Sequence, residues 1–321
     1  MRIGTRSSTM AMAQTEEVAS QLRAAPGGPK VEIVRFAPRG DRDQVSKLER
    51  HGGKGGAFVA EIRDALRDGS LDTAMHSLKD MPGDEETPGL VIGAYLKREP
   101  SEDALVLHKD HELDAFMSTK AAGMKIGTNS VRRAAYLRRL YPEAEIIHYR
   151  GAADTRIKKL DERAMQRLPD GGEVGPADVL VMAKCGLERV GFGDRIGCAY
   201  TPEEMLPAVG QGIVAVECRR DDWKAREQLS LIDDACSRRL AEAEREMLWV
   251  LNGHCNAPIA GLAEINGARM TLHAAVISED GAEIIDYQGE GDAARPRELG
   301  RAAGLDLLRR GAAKIIEQSR L

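Results

Sequence analysis

The chain has 321 residues and a formal net charge of −5, with 42% hydrophobic, 30% charged and 4% aromatic residues. This length suggests two or three domains, each with a core of its own. The acidic balance and the few aromatic side chains disfavour a general nucleic-acid binder, and no apolar run approaches the roughly 20 residues that a membrane helix needs. The start, MRIGTRSST, lacks the apolar core of a signal peptide, so we expect a cytoplasmic protein that binds neither nucleic acid nor membrane.

Strand-like runs alternate with helical patterns in the first two thirds of the chain, which is typical of α/β domains. The run RIGT is followed by a predicted helix over 8–24, the strand VEIVRF, a helix over 57–68 and the strand LDTAMHS. A second series begins at KIGT (125–128), with helices over 131–140 and 155–163 and the strands EIIHY and DVLVMA. Because the openings RIGTRS and KIGTNS match, we predict two related α/β lobes.

The chain is predicted to pass between these lobes twice. The stretch VIGAYLKREPSEDALVL (91–107) would be the first crossing, and GIVAVEC (212–218) would be a strand that returns to the first lobe. After residue 233 the pattern changes to a helix over 236–251, three strands joined by Asn-Gly and Asp-Gly turns, and a final helix that begins at Pro296. This predicts a smaller C-terminal α+β domain with a three-stranded sheet.

The expected division of the chain into three domains follows from these patterns. The expected bounds are 1–98 and 213–230 for domain 1, 103–206 for domain 2 and 235–321 for domain 3.

Both lobes carry a pattern that suits anions. In each, a strand ends at Ile-Gly-Thr and a serine precedes a helix, so free backbone N–H groups lie at the positive end of a helix dipole. The helix starts also carry Arg132, Arg133 and Arg156, where positive charge opposes the dipole, and Arg6 and Arg150 lie at strand ends. Helix stability does not explain these arginines, so we predict a cleft for a ligand with several carboxylates or phosphates.

Two further stretches of the first lobe suggest a site. HGGKGGAF (51–58) places Lys54 in a glycine-rich loop that lacks the spacing of a Walker loop, and we expect a flexible lid. HSLKDMP (76–82) follows a buried-looking strand, where open α/β sheets place their ligand sites. Asp80 in this stretch is either a lone carboxylate among cations or an ordinary turn aspartate.

The five cysteines are widely spaced, with no close pair to suggest a zinc knuckle or a redox dithiol. Cys255 lies in LNGHCNAPIAG (251–261), a glycine-punctuated loop without apolar neighbours for it to pack against. It is either a half-buried filler residue or a cysteine that works alone.

Seven motifs together resemble a known family. IGTRSS, GGKGG, HSLKDMP, IGTNSVRR, YRGAADTR, LPAVGQGIVAVECR and GHCNAPIAG follow the order and spacing found in the porphobilinogen deaminases, also called hydroxymethylbilane synthases, over nearly the whole chain. The resemblance implies a transferase of tetrapyrrole and heme biosynthesis, which condenses four porphobilinogen molecules head to tail, releases ammonia and frees the linear tetrapyrrole by hydrolysis. It also implies two lobes similar to those of periplasmic binding proteins, and a third domain in which Cys255 holds a dipyrromethane cofactor through a thioether. We expect a monomer without a metal site.

The resemblance further implies roles for single residues. Asp80 would be catalytic, stabilising the azafulvene cation that forms when porphobilinogen loses ammonia. The residues expected to contact cofactor and substrate are Arg6, Ser8, Gln14, Lys54, Lys79, Thr128, Ser130, Arg132, Arg133, Arg150 and Arg156.

Four positions depart from the family pattern, which usually has Ser, Asn, Gly and Gly in the places of Asn129, Ala152, Asp154 and His254. Asp154 introduces a negative charge between two of the cleft arginines, so it either faces away or weakens one subsite. Two alternatives therefore stay open: a divergent paralogue that handles a shorter or different pyrrole chain, and a non-catalytic two-lobed protein that binds polyanions.

Overall fold

The structure is a computed structural model, and it describes residues 1–36, 56–83, 87–168, 171–253 and 257–319, without the side chains of 56–58. Within these residues the chain forms two five-stranded sheets, a three-stranded antiparallel sheet and a two-stranded ribbon. The predicted fold class, two α/β lobes with a smaller α+β domain, is confirmed. No helix in the described ranges combines the length and the apolar character needed to cross a bilayer.

The described helices and strands are numbered in chain order. The first lobe begins with β1 (Arg2–Arg6), α1 (Thr9–Ala24), β2 (Glu32–Phe36), α2 (Gly56–Arg67), β3 (Thr73–Ser77), a 3₁₀ helix (Leu78–Asp80) and β4 (Leu90–Tyr95). The second lobe has β5 (Asp103–Leu107), α3 (Leu113–Ser118), β6 (Lys125–Thr128), α4 (Val131–Leu140), β7 (Glu145–His148), α5 (Ala153–Asp161), β8 (Gln166–Arg167), β9 (Glu173–Val174), β10 (Val179–Ala183), α6 (Lys184–Arg189), a 3₁₀ helix (Gly193–Arg195) and β11 (Cys198–Ala199). The remainder comprises β12 (Val214–Arg219), α7 (Trp223–Ser230), α8 (Ala235–Val250), β13 (Ile259–Asn266), β14 (Arg269–Ile277), β15 (Ile284–Asp292), α9 (Pro296–Arg309) and α10 (Ala312–Gln318).

The sheet of the first lobe has the strand order β2-β1-β3-β12-β4. β1 runs parallel to both of its neighbours, whereas β12 is antiparallel to β3 and β4. The predicted strand GIVAVEC thus forms β12 and returns the chain to the first sheet. α1 buries Val18 and Leu22, which are four residues apart and lie on one helix face, against Ile3, Met75 and Val216 of the sheet.

A buried carboxylate joins three elements of this lobe. Glu217 on β12 is 1% exposed, and its oxygens accept hydrogen bonds from Nε of Arg63 on α2 at 3.2 and 3.1 Å. Nε2 of His76 on β3 lies 3.2 Å from the same carboxylate. Burial would raise the pKa of Glu217, but the contacts with His76 and Arg63 outweigh it and lower the pKa to about 2.

We expect Glu217 to make the unfolding free energy depend on pH in acid. Because its pKa is lower in the folded chain than in the unfolded one, its contribution is present above about pH 4.5 and is lost as the pH falls towards 2. Urea denaturation at several pH values between 5 and 2.5 gives the dependence of the unfolding free energy on pH. This dependence should be shallower in Glu217→Gln than in the wild type, by the equivalent of up to one proton taken up on unfolding. The exposed Glu264→Gln is the control and should keep the wild-type slope. An unchanged slope in Glu217→Gln would contradict the assigned pKa.

The second lobe has the strand order β11-β5-β10-β6-β7. All five residues of β10 are buried, because helices and loops cover both faces of the sheet at its centre. β10 is parallel to β6 and antiparallel to β5, so the carboxyl ends of β6 and β10 point to the same edge. That edge carries the starts of the helices that follow these strands.

In the described part of the third domain, α8, α9 and α10 pack on the sheet of β13, β14 and β15. Its core contains Met247, Leu272 and Ala303. α8 and α9 approach closely at Gly300, where an added Cβ would lie 2.1 Å from the carbonyl oxygen of Ala243. Only glycine allows this separation, since a side chain there would displace the backbone of the neighbouring helix.

Glu244 of α8 ties the third domain to both stretches that connect the lobes, 96–102 and 200–213. This carboxylate is fully buried and accepts hydrogen bonds from the amides of Gly210 at 2.7 Å and Ala263 at 2.8 Å. It also accepts a hydrogen bond from Nη1 of Arg98 at 2.5 Å. Because Arg98 and Gly210 belong to different connecting stretches, one side chain holds them together.

Candidate active site

A cavity of about 740 Å³ lies between the two lobes, and we call it the interlobe cleft. Its wall is built from strand ends and helix starts of both lobes, and it also contains Gly253 and Ala257 of the third domain. A volume of this size is within the range of pockets that enclose small organic ligands.

Most of the residues predicted from the sequence meet in this cleft. The predicted residues that line it are Arg6, Ser8, Gln14, Lys79, Asp80, Ser130, Arg132, Arg133, Arg150 and Arg156. Thr128 does not line it. Its side chain is buried, and its hydroxyl accepts a hydrogen bond from the amide of Ser130 at 3.2 Å. Lys54, with its predicted lid, and Cys255 lie outside the described residues.

The two matching sequence openings form two matching helix caps. Ser8 caps α1 by accepting a hydrogen bond from the amide of Ala11, and Ser130 caps α4 by accepting one from the amide of Arg133, each at 3.3 Å. A serine hydroxyl that accepts in this way still has its own hydrogen to donate. Each lobe therefore presents one hydroxyl donor to the cleft at the positive end of a helix.

Arg132 and Arg133 are paired with a carboxylate that the sequence argument overlooked. Asp103, the first residue of β5, is fully buried and accepts hydrogen bonds from Nη2 of Arg132 at 2.5 Å and from Nε of Arg133 at 2.9 Å. Burial would raise the pKa of Asp103, but the two guanidinium charges hold it well below its usual range. These two arginines therefore also neutralise a buried aspartate, a role that the sequence argument did not foresee.

Gln211 connects this ion pair to the first lobe. Its Nε2 donates to Oδ1 of Asp103 at 2.9 Å and to the carbonyl of Ser101 at 2.7 Å. Its Oε1 accepts from Nη2 of Arg133 at 3.3 Å and from Nζ of Lys79 at 3.2 Å. A single buried amide thus fixes one cation from each lobe at the floor of the cleft.

Asp80 ends the 3₁₀ helix that follows β3, and its exposed carboxylate lines the cleft. It makes no hydrogen bond or ion pair with another described residue, but it is near enough to Lys79 and Arg156 to affect the pKa of each. Burial and the charge of Arg133 lower the pKa of Lys79, and Asp80 partly compensates. Asp80 is therefore a carboxylate among cations, as one of the two sequence interpretations required.

Arg156 is a cation without a protein partner in the described part of the chain. Its Nε is buried and has no hydrogen-bond acceptor there. Burial and the neighbouring charge of Arg133 lower the pKa of Arg156 to about 10. Since an unpaired guanidinium is costly to bury, this geometry favours a bound anion that would accept its hydrogen bonds.

Two of the departures from the family pattern lie at the start of α5. Ala152 is the N-cap of this helix and has no side-chain oxygen to cap it. Asp154 makes up for part of this loss, because its Oδ1 accepts a hydrogen bond from the amide of Thr155 at 2.7 Å. Its Oδ2 accepts one from the hydroxyl of Thr9 at 2.8 Å, and Asp154 does not line the cleft. Of the two expectations for Asp154, the structure supports the one in which it faces away.

The cleft also contains residues that the sequence argument did not assign. Arg189 lines it, and its Nη2 lies 3.0 Å from Glu17 and 2.5 Å from Glu99. Cys185 lines it too, but burial raises the pKa of its thiol, which makes it a poor nucleophile at neutral pH. The motif LPAVGQG contains Gln211 but does not indicate its role. No sequence pattern around Asp103 indicates that this aspartate is buried and paired with arginines.

These features define a class of protein, a two-lobed α/β protein with a cleft between its lobes that is lined by several cationic side chains. Family models then give the particular family. Residues 1–227 match the porphobilinogen deaminase, dipyromethane cofactor binding domain, and residues 239–309 match the porphobilinogen deaminase C-terminal domain.

Full-length relatives carry the same name. The chain is 37% identical to a porphobilinogen deaminase of Syntrophobacter fumaroxidans over 99% of its own length and 97% of the relative's. It is 38% identical to porphobilinogen deaminase 2 of Streptomyces coelicolor over 99% of its own length and 96% of the relative's. The chain belongs to the porphobilinogen deaminase family, whose members are hydroxymethylbilane synthases, transferases with a dipyrromethane cofactor.

Solved structures of lower similarity include two substrate-binding proteins. A periplasmic sulfonate-binding protein SsuA of Methylobacillus flagellatus aligns with a TM-score of 0.37 and 14% identity over 78% of this chain and 67% of that one. The second substrate-binding domain of a putative amino acid ABC transporter of Streptococcus pneumoniae aligns with a TM-score of 0.39 and 12% identity over 72% of this chain and 90% of that one.

We expect Arg133 and Arg156 to differ in what they stabilise. Arg133→Gln should lower the unfolding free energy by about 3 kcal/mol, because it removes one partner of a buried ion pair. Arg156→Gln should leave stability within about 1 kcal/mol of the wild type, but lower kcat/KM for porphobilinogen about tenfold or more, as loss of a charge-assisted hydrogen bond does. Urea denaturation and steady-state kinetics of both variants check this. Equal losses of stability would contradict the distinction.

Proposed function

We propose that the uncommitted cations and hydroxyls of the interlobe cleft hold the carboxylates of a pyrrole chain while porphobilinogen is added to it. The observation that carries this proposal is Arg156, whose Nε is buried without an acceptor among the described residues. Each pyrrole unit brings an acetate and a propionate, so the ligand is a polyanion that can supply those acceptors. Ser8, Ser130 and Lys79 would add donors from both lobes.

The cleft fits a dipyrromethane by its chemistry. Two pyrrole rings with four carboxylates need several cations in a concave space, and the described wall contains several, among them Lys79, Arg150 and Arg156. When bound, the group supplies the nucleophilic pyrrole carbon at which the chain starts to grow. We propose that Cys255 anchors it through a thioether. Residues 253 and 257, on either side of the undescribed stretch that contains Cys255, line the cleft, and this supports the assignment.

We propose that Asp80 is the catalytic carboxylate. When the C–N bond of porphobilinogen breaks, ammonia leaves and an azafulvene cation remains. A carboxylate that no described residue pairs with, held beside Lys79 and Arg156, can stabilise that cation and then accept the α-proton that the attacking pyrrole loses as the new C–C bond forms. Lys79 and Arg156 would meanwhile orient the substrate carboxylates.

The remaining assignments concern the organisation of the chain. We propose the domain bounds 1–98 with 213–230, 103–206 and 235–321, and a monomeric enzyme. We also propose a cytoplasmic location, because the described cysteines (Cys185, Cys198, Cys218 and Cys236) are all free thiols, as expected in a reducing compartment. Light scattering during size-exclusion chromatography measures the molar mass in solution. The mass of a dimer would contradict the proposed monomer.

Asp80→Asn should keep the fold and the bound cofactor but lose most turnover. The amide has the shape of the carboxylate but not its charge, so the loss should appear in kcat more than in KM. Thermal denaturation, intact mass and steady-state kinetics measure the three properties. Asp114→Asn, at an exposed aspartate of α3, is the control. Turnover within a few-fold of the wild type would show that Asp80 is only a turn residue.

Cys255→Ala should give a folded protein that carries no pyrrole adduct and makes no tetrapyrrole. Cys185→Ala is the sharpest control, because this thiol also lines the cleft but should leave the adduct in place. Peptide mapping of the purified wild type should locate the adduct on the peptide that contains Cys255. An adduct on another cysteine, or processive synthesis by Cys255→Ala, would overturn the assignment.

A further inference from the structure

The two lobes are joined by a hydrogen bond just outside the wall of the interlobe cleft. Oγ1 of Thr9, the first residue of α1, donates to Oδ2 of Asp154 in the first turn of α5, at 2.8 Å. The neighbours Ser8, Met10 and Ala153 line the cleft, whereas Thr9 and Asp154 do not. The bond therefore links the two helix starts that border the cleft without occupying the space of a ligand.

Asp154 is held in place by its own lobe. Its Oδ1 accepts from the amide of Thr155 at 2.7 Å, and the hydroxyl of Thr155 lies 3.4 Å from the same oxygen. A carboxylate in the first turn of a helix also interacts favourably with the helix dipole. Its position is thus determined within the second lobe, and the contact with Thr9 depends on where the first lobe lies.

Another contact between the lobes differs from this one. Arg189 of α6 pairs with Glu17 of α1, but it also pairs with Glu99 in the stretch 96–102 that connects the lobes. Because Glu99 lies in the connecting stretch, rotation of the lobes about that stretch changes the position of Arg189 little. Thr9 and Asp154 are 145 residues apart, and neither side chain bonds to a described residue of the connecting stretches. The distance between them can therefore change when the lobes rotate about those stretches.

A ligand that grows inside the cleft gives a reason for such a rotation. A dipyrromethane has two rings, and four additions give six, whereas the cleft has a volume of about 740 Å³. We propose that Thr9 and Asp154 form a latch, which keeps the lobes together while the bound chain is short and breaks when the cleft widens for longer chains. This inference rests on the proposed function of the cleft.

Thr9→Val tests the latch, because valine has the shape of threonine but cannot donate the bond. Thr155→Val is the matched control, since it removes a hydroxyl beside the same carboxylate within one lobe. Hydrogen exchange of the amides at the starts of α1 and α5, measured on the purified holoenzyme, reports the separation of the lobes. Intact mass after addition of substoichiometric porphobilinogen reports how many units each enzyme molecule has added.

In Thr9→Val, hydrogen exchange at both helix starts should be faster than in the wild type. The ratio of enzyme forms with three or four added units to forms with one or two should rise about two- to tenfold, which corresponds to the loss of one exposed hydrogen bond. Thr155→Val should match the wild type in both. In an Asp154→Ala background, Thr9→Val should have no further effect.

Wild-type exchange and an unchanged distribution in Thr9→Val would overturn the latch, as would an equal change in Thr155→Val. The exchange measurement does not need turnover. If the wild type added no units at all, the proposed function would fail, and the latch would still stand or fall on hydrogen exchange.

Discussion

The buried carboxylate of Asp103 is the constraint on which the rest of the cleft depends. A buried charge at the first residue of an internal strand is tolerated only if cations and donors surround it. Arg132, Arg133 and Gln211 provide them, and in doing so they fix the start of α4 against β5 and hold the connecting stretch between the lobes. Because Gln211 also accepts a hydrogen bond from Lys79, the same interaction positions a cation of the other lobe.

The arginines of the cleft therefore fall into two groups with different roles. Arg132 and Arg133 neutralise Asp103, and they add a smaller positive field than their number suggests. Arg156 has no protein acceptor in the described structure, so its charge is available to a ligand. A site for a growing polyanion needs both groups. If all of its cations were unpaired, their mutual repulsion would destabilise the cleft in the absence of ligand.

The sequence predicted the architecture well, since the alternation of strands and helices, the two IGT openings and the Asn-Gly and Asp-Gly turns are local signals. It also brought most site residues together, because strand ends and helix starts of an α/β lobe meet at one edge. It missed Asp103, because an ion-pair partner 29 residues away from Arg132 leaves no periodic pattern. The sequence therefore did not show that two of the arginines neutralise a buried carboxylate. It could not decide the direction of Asp154 either, because that depends on Thr9 in the other lobe.

We propose that the interlobe cleft assembles a pyrrole chain step by step, with Asp80 as the catalytic carboxylate and Cys255 as the anchor. Intact mass of the wild-type protein, measured as purified and then after stepwise addition of porphobilinogen, tests it most directly. We expect a starting mass of the chain plus two pyrrole units, followed by increments of one substrate less ammonia, up to four, and a return to the starting mass on release. A purified chain without an adduct, or binding of porphobilinogen without covalent increments, would contradict it and favour a non-catalytic polyanion binder.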